Sequence, residues 1–452
     1  MSRLMVGVSG VRGAVGDTLT AEVATNFGRA FAAMLGSGKK AVLGMDTRPS
    51  GPMIRDAVIA GLTEGGVNVV DLGVVSTPGV AIMIKHTAAD GGIVITASHN
   101  PLPYNGIKFM TPDGQNLPAD AAERLKGIWQ AGKFTKAAHP GRVERNTNTH
   151  DVHIAKVMPI IDPAAIAAGK FKVVVDSING AGCESIVRMM RQLGVELVHV
   201  NNTPDGNFAH EPEPTRKNLA GMSEIVRREK AHVGFAQDPD ADRLAIVDER
   251  GEYIGEEYTL TLTTAFTLMK QKGSVATNLS TTRMMDDVCA AAGATLIRTA
   301  VGEANVASAM MAQGCVFGGE GNGGVIDPRV VFVRDSLVGI PLMLNYMAAT
   351  GKSVSQLVAA LPRYEMFKDK FPCPLGGAVR VNEAVKQALA GRPGAKIDES
   401  DGLRVDLAEG WMHIRASNTE PIMRITAEAP SPAAVQKLAA EVRAIADKVL
   451  GT

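Results

Sequence analysis

The chain has 452 residues, 45% of them hydrophobic and 21% charged, with 47 Lys plus Arg balancing 47 Asp plus Glu. The balance excludes an overall field that would recruit nucleic acid or an anionic membrane, so an anionic ligand has to be caught by local groups. The length is too great for one core and predicts about three or four domains of an ordinary globular protein.

The opening Met-Ser-Arg-Leu-Met-Val-Gly-Val lacks the long apolar centre of a signal peptide, and no apolar run approaches the length of a bilayer span. A strand–helix–strand unit follows: Ala41 to Asp46, a helix near Met53 to Thr63, Gly65-Gly66, then Val67 to Asp71. The pattern returns as a strand Lys172 to Asp176, a helix near Glu184 to Leu193, Gly194, and a strand Val195 to Val200. A third copy runs from Ser274 to Asn278, through a helix near Thr282 to Ala291 and Gly293, to Ala294 to Arg298. Each glycine stands where a helix should end and admits a left-handed cap. Units of this grammar imply parallel pairing with right-handed crossovers. Beyond about Leu361 the pattern changes to short strands, Gly402 to Leu407, Trp411 to Arg415 and Ile422 to Ala427, ahead of a helix from Ala433 to Val449. The expected fold class is α/β: three similar mixed α/β domains in series, over 1–150, 151–252 and 253–365, plus a smaller C-terminal α+β domain over 366–452. Cys183, Cys289, Cys315 and Cys373 are scattered without a C-x-x-C pattern, which predicts reduced, mostly buried thiols in a cytoplasm.

Thr96-Ala-Ser-His-Asn-Pro101 follows the apolar run Gly91 to Ile95 and sets Ser98 at the mouth of a strand. Neighbours on an extended chain point to opposite faces and no G-x-S-x-G elbow is present, so Ser98 and His99 are not a serine hydrolase pair. Ser98 needs another means of activation. In Gln237-Asp-Pro-Asp-Ala-Asp-Arg243, residues Asp238, Asp240 and Asp242 alternate, so on an extended segment their carboxylates project to one side. Carboxylates that converge repel one another, and a hard divalent cation with oxygen ligands, Mg²⁺ or Ca²⁺, resolves that. The plainer reading is a solvated acidic turn. A calcium loop counted from Asp238 fails where its sharp turn needs glycine, because the chain has Arg243 there. In Gly318-Gly-Glu-Gly-Asn-Gly-Gly324 the glycines let backbone approach a ligand, with Glu320 and Asn322 available to sugar hydroxyls; alone it reads as a flexible linker. Arg415-Ala-Ser-Asn-Thr-Glu-Pro-Ile-Met-Arg424 offers the forks of Arg415 and Arg424 with Ser417, Asn418 and Thr419, suited to wrapping a phosphate or to a polar turn. Taken together, a strand-end serine, a three-carboxylate cation site and a phosphate clamp suggest a phosphoryl group carried by Ser98.

At these residues the sequence resembles the α-D-phosphohexomutase family. Thr96 to Pro101 looks like its phosphoserine loop, Asp238-x-Asp-x-Asp-Arg243 like its metal loop, and Arg415-x-Ser-Asn-Thr-Glu-Pro421 like its phosphate-binding loop. The stretch around Glu320 falls where the family keeps its sugar-binding loop, Gly10-Val-Arg-Gly13 resembles the element that places an active-site arginine, here Arg12, and Asn105-Gly-Ile-Lys108 resembles the stretch carrying a candidate acid/base lysine. The resemblance covers essentially the whole chain, in order. It implies four domains around a central cleft and a cytoplasmic isomerase with no nucleic-acid or membrane partner. Phosphorylated Ser98 would bind one Mg²⁺ with Asp238, Asp240 and Asp242, and a hexose 1,6-bisphosphate would serve as activator. It also implies that Ser98 passes its phosphoryl group to a hexose monophosphate, that the bisphosphate turns over in the cleft, and that the other phosphate returns, shifting phosphate between O1 and O6. Lys108 and His99 would manage protons, while Arg243 and Arg12 steady the phosphoryl group. Asn322-Gly-Gly324 departs from a Ser-Gly-His ending frequent in the family, and Ala300 replaces a frequent lysine. The Glu-Gly-Asn-Gly-Gly form looks most like the phosphoglucosamine mutase branch. A mannose/glucose mutase, a phosphosugar-binding protein with little turnover and a phosphate-releasing hydrolase are the other readings.

Overall fold

A computed structural model of the chain describes residues 4–7, 10–374, 376–417 and 421–451. The first sheet has the strand order Met5–Gly7, Gly10–Ala14, Tyr104–Met110, Gly91–Ile95, Lys40–Met45, Asn68–Val74, Val143–Arg145. The second runs Leu244–Val247, Val233–Gln237, Lys172–Asp176, Glu196–Val200, and the third Leu296–Thr299, Val275–Asn278, Phe317–Glu320, Gly324–Ile326. In all three the pairs expected from the repeated grammar are parallel: Lys40–Met45 with Asn68–Val74, Lys172–Asp176 with Glu196–Val200, and Val275–Asn278 with Leu296–Thr299. The glycines that close the intervening helices, Gly66, Gly194 and Gly293, have φ of 81°, 65° and 66°, the left-handed region open to a residue without Cβ. The fourth sheet, Glu365–Pro372, Ile422–Ala429, Gly410–Ala416, Leu403–Leu407, Lys396–Asp398, is antiparallel throughout.

The first three sheets share one feature that positions the candidate site. In each, a strand parallel to its neighbour is followed by a short loop and then by an antiparallel strand: Gly91–Ile95 then Tyr104–Met110, Val233–Gln237 then Leu244–Val247, Phe317–Glu320 then Gly324–Ile326. The loops so formed are those of Ser98, of the three aspartates and of Glu320. They lie beyond the carboxyl ends of parallel strands, where α/β sheets place their ligands. Every residue of the preceding strands is buried, which fixes the loops to rigid ground. A continuous apolar core runs from Val42 through Phe235 to Leu357, while the fourth domain has its own core around Val405, Ile414 and Val442.

Candidate active site

Ser98 is buried and sits at φ 50°, a left-handed conformation uncommon for a side chain other than glycine. The surroundings over-determine it. Its N–H donates to Thr96 Oγ1 at 2.8 Å, and its carbonyl accepts from Arg48 Nη2 at 2.6 Å. Arg48 is itself buried against Asp46 and also donates to the carbonyls of Asn100 and Tyr104. Thr96 Oγ1 donates to Asp46 at 2.6 Å. Asp46, Arg48 and Thr96 therefore form the frame of the loop; the expected motif named only the last of them.

Ser98 Oγ donates to Asp238 Oδ2 at 2.8 Å, joining residues 140 positions apart. The aspartates converge as expected, but not on an extended segment. Pro239 to Ala241 form a turn, with Ala241 at φ 55°, and Asp238 Oδ1 accepts from the N–H groups of Asp242 and Arg243 at 3.1 and 3.0 Å. A two-residue alternation on a strand would have spread the carboxylates along it; the turn gathers them so that one oxygen of each lies within 4.8 Å of the others.

The two oxygens of Asp240 and of Asp242 differ. Asp240 Oδ2 accepts from Thr77 Oγ1 at 2.6 Å and Lys108 Nζ at 2.7 Å, and Asp242 Oδ2 from Arg334 Nη2 at 2.7 Å and Lys108 Nζ at 3.4 Å. Asp240 Oδ1 and Asp242 Oδ1 are buried with no hydrogen-bond partner among the described residues. Burial and the charges of Asp240 and Asp242 push the Asp238 carboxyl well above its usual range. Burial opposes ionisation of Asp240 too, but Lys108 and Thr77 more than offset it and hold that carboxyl low. Buried oxygens without donors and a carboxyl that resists a further negative charge fit a hard divalent cation beside Ser98.

Burial would lower the pKa of Lys108, yet Asp240 and Asp242 outweigh it and raise it, so the ammonium is held charged. His99 Nδ1 lies 3.3 Å from Ser98 Oγ, and burial, with Arg243 and Arg12 nearby, drops its pKa to about 2. Arg12 donates to Asn100 Oδ1 at 2.9 Å, and Arg243 Nε lies 3.8 Å from Asp242 Oδ1 with no hydrogen-bond partner among the described residues. Both guanidinium groups border the Ser98 loop.

Glu320 and Asn322 lie in a tight hairpin, not a linker. Glu320 Oε1 accepts from Asn278 Nδ2 at 2.8 Å and the N–H of Gly302 at 3.2 Å; Oε2 accepts from Arg334 Nη1 at 2.8 Å and Asn322 Nδ2 at 3.4 Å. Its glycines are steric necessities: a Cβ on Gly324 would come within 2.0 Å of Arg334 Cδ, and one on Gly321 within 1.9 Å of Glu257 Oε2. The stem of Arg334 therefore fills the space beside Gly324, the position at which the chain departs from the Ser-Gly-His ending frequent in the family. Ala300 leaves its turn to other groups, the N–H of Val301 donating to Asp401 Oδ2 at 2.9 Å. In the fourth domain Arg415 and Arg424 are direct partners across adjacent strands, and Lys370 is the partner of Arg424 on its other side. Three cations in a row on one face would repel, an arrangement that favours an anion between them. Burial lowers the pKa of Arg415, with the charges of Asp401 and Glu320 opposing. The N–H of Ser417 donates to the Ile422 carbonyl at 2.9 Å; Asn418 and Thr419 lie outside the described residues. Lys370, Arg334 and Glu303 escaped the sequence reading, because no local motif marks them.

A serine oxygen on a carboxylate cluster, ringed by guanidinium and ammonium groups and set between α/β domains, defines a phosphoryl-transfer class of site. The sequence matches the four parts of the description "Phosphoglucomutase/phosphomannomutase": alpha/beta/alpha domain I over residues 3–136, domain II over 151–251, domain III over 255–364 and the C-terminal domain over 374–445. It is 38% identical over 434 residues to "Phosphoglucomutase/phosphomannomutase" of Thermococcus kodakarensis, covering 94% of this chain and 95% of the relative. A "Probable phosphoglucosamine mutase" of Methanopyrus kandleri is 37% identical, with 96% and 95% covered. Among solved structures, a phosphoglucomutase/phosphomannomutase family protein from Burkholderia thailandensis superposes with a TM-score of 0.85 at 28% identity, covering 98% of both chains. The chain belongs to the phosphoglucomutase/phosphomannomutase family. It is a phosphohexomutase, an intramolecular phosphotransferase of the isomerase class.

Proposed function

We propose that the protein is a phosphoglucosamine mutase, shifting phosphate between O1 and O6 of glucosamine through phosphorylated Ser98 and a bound hexose 1,6-bisphosphate. The observation that carries the phosphoserine is the placement of Ser98 Oγ 2.8 Å from Asp238, beside two carboxylate oxygens with no hydrogen-bond partner among the described residues. Asp238, Asp240 and Asp242 would hold one Mg²⁺ together with a phosphoryl oxygen on Ser98, and the ion would supply charge neutralisation at the transferring group. The protein's own groups do the rest. Arg12 and Arg243 steady the phosphoryl oxygens, and Arg48 fixes the loop that carries the group. Lys108, held as ammonium, acts as acid toward the serine oxygen when the P–O bond breaks; burial and the neighbouring arginines disfavour a proton on His99, whose imidazole lies 3.3 Å from Oγ and orients it. Arg415, Arg424, Ser417 and the neighbouring Asn418 and Thr419 take the distal phosphate, and Glu320 with Asn322 the sugar. Glu320 already holds four donors, so a sugar hydroxyl would displace the 3.4 Å contact from Asn322, the longest of them.

The sugar assignment rests on the Glu-Gly-Asn-Gly-Gly loop and on the name of the Methanopyrus kandleri relative. The name of the 38% identical relative favours a second reading, a mutase for glucose and mannose phosphates. The four cysteines are free and buried, and among the described residues no helix is long and apolar enough to cross a membrane, both in keeping with a cytoplasmic enzyme. A phosphorus NMR time course with Mg²⁺ and a trace of hexose 1,6-bisphosphate tests the proposal. Glucosamine 1-phosphate should give a 6-phosphate resonance faster than mannose or glucose 1-phosphate does, and Ser98→Ala should give none. Faster conversion of mannose or glucose phosphate would select the second reading.

A further inference from the structure

Arg334 lies just ahead of the helix Ser336–Thr350, and its side chain is 10% exposed. Its nitrogens face three carboxylates from three separate stretches: Nη2 donates to Asp242 Oδ2 at 2.7 Å, Nη1 to Glu320 Oε2 at 2.8 Å, and Nε lies 2.6 Å from Glu303 Oε2. Those carboxylates are 0%, 5% and 6% exposed. Glu303 in turn accepts from Asn116 Nδ2 at 2.7 Å, which ties the group to the first domain. The residues that follow anchor the backbone at the same place. Asp335 accepts from the Leu337 N–H at 2.8 Å and meets His153 Nε2 at 2.6 Å, while Ser336 Oγ donates to the Ala241 carbonyl at 2.7 Å. The hairpin is shaped to admit the stem, since any Cβ on Gly324 would overlap it.

We propose that Arg334 is a positioning residue that fixes the aspartate loop and the Glu320 loop in one frame, an inference that rests on the mutase reading for the roles of those loops. A guanidinium fork can bind two carboxylates in set directions where a single ammonium cannot. By engaging Asp242 Oδ2 it leaves Oδ1 as the oxygen turned to a cation; by engaging Glu320 Oε2 it orients the carboxylate meant for the sugar. The rival account makes Arg334 only a counter-charge that stands in for a cation among crowded carboxylates. The two accounts predict opposite signs. A positioning residue, when removed, weakens metal binding, typically by about 10–100-fold; removing a mere counter-charge leaves more negative charge at the site and tightens it.

The test is calorimetric titration of Mg²⁺ into the full-length protein without sugar, for the unmodified chain, Arg334→Met and Arg334→Lys. The expected result is about 10–100-fold weaker Mg²⁺ binding in Arg334→Met. Arg334→Lys keeps a charge among the carboxylates, guards against failure to fold, and should also bind Mg²⁺ more weakly because it lacks the fork. At saturating Mg²⁺ both variants should also show a raised KM for hexose 1-phosphate. Unchanged or tighter Mg²⁺ binding in the folded variants overturns the proposal. Because the calorimetry involves no sugar, absence of hexose phosphate turnover in the unmodified protein would overturn the mutase reading and leave this comparison to decide the role of Arg334.

Discussion

Two residues of the candidate site, Ser98 and Ala241, adopt left-handed backbone conformations with φ of 50° and 55°. Such a conformation costs an L residue with a Cβ about 1–2 kcal/mol, and here it is what turns Ser98 toward Asp238 and closes the aspartate turn. The residue types were legible in the sequence: a serine at a strand end and three alternating aspartates. Their backbone geometry was not, because alternation alone suggests an extended segment and nothing in Ala241 marks a left-handed position. Ala241 supplies the test, since it is buried and takes no part through its side chain. Ala241→Gly should leave the melting temperature unchanged or raise stability by up to about 1 kcal/mol, the reverse of the loss that Ala→Gly causes in a helix. A calorimetric melt showing a loss above about 1 kcal/mol would mean that the methyl's packing outweighs the strain.

At the scale of elements, strands and helices followed from apolar runs and glycine caps, and most of the expected segments lie within about two residues of the observed ones. The strand Lys172–Asp176 coincides with its expectation, and the helix Pro432–Leu450 extends it by one residue at each end. What local pattern could not supply is which element braces which loop, because those contacts are set by packing between domains. The helix Ser336–Thr350 is the clearest case. Gln237 Nε2 donates to Ser336 Oγ at 2.8 Å, and Ser336 passes a hydrogen bond to the Ala241 carbonyl, 95 positions away, so the helix start clamps both ends of the aspartate turn. Ser336→Ala leaves Gln237 Nε2 without its acceptor in a buried place, at a cost of about 1–3 kcal/mol, and should loosen Mg²⁺ binding, whereas Ser336→Thr retains the hydroxyl and should bind nearly as the unmodified chain. A melt and a Mg²⁺ titration check both. If Ser336→Ala melts and binds like the parent, the clamp does not hold the turn.

For the whole molecule, the repeated strand–helix–strand grammar made three α/β units and a different C-terminal one legible in advance. The seam between the third and fourth was hidden, because it is polar and has no periodic signal. There Lys368 of the strand Glu365–Pro372 donates to Glu256 Oε1 at 2.6 Å and Glu257 Oε1 at 3.3 Å, and Glu257 Oε2 accepts from the Thr282 N–H at 3.1 Å. Glu257 lies directly beneath Gly321, so the seam also supports the Glu320 hairpin. Burial pushes its carboxyl from the ordinary 4.5 up to about 7, against the opposing charge of Lys368. The sign of the consequence follows from linkage. Between pH 4.5 and about 7 the unfolded chain gives up this proton while the folded protein keeps it, so the stability contributed below pH 4.5 is lost as pH rises to about 7 and is then constant. The full shift corresponds to at most about 3.5 kcal/mol. Glu257→Gln carries no titrating proton there, so it should lose less melting temperature than the parent between pH 4.5 and 7.5, all other groups being common to both. Equal losses in the two proteins across that interval would show that Glu257 ionises in the folded state at its ordinary pH, and that the seam is open to water.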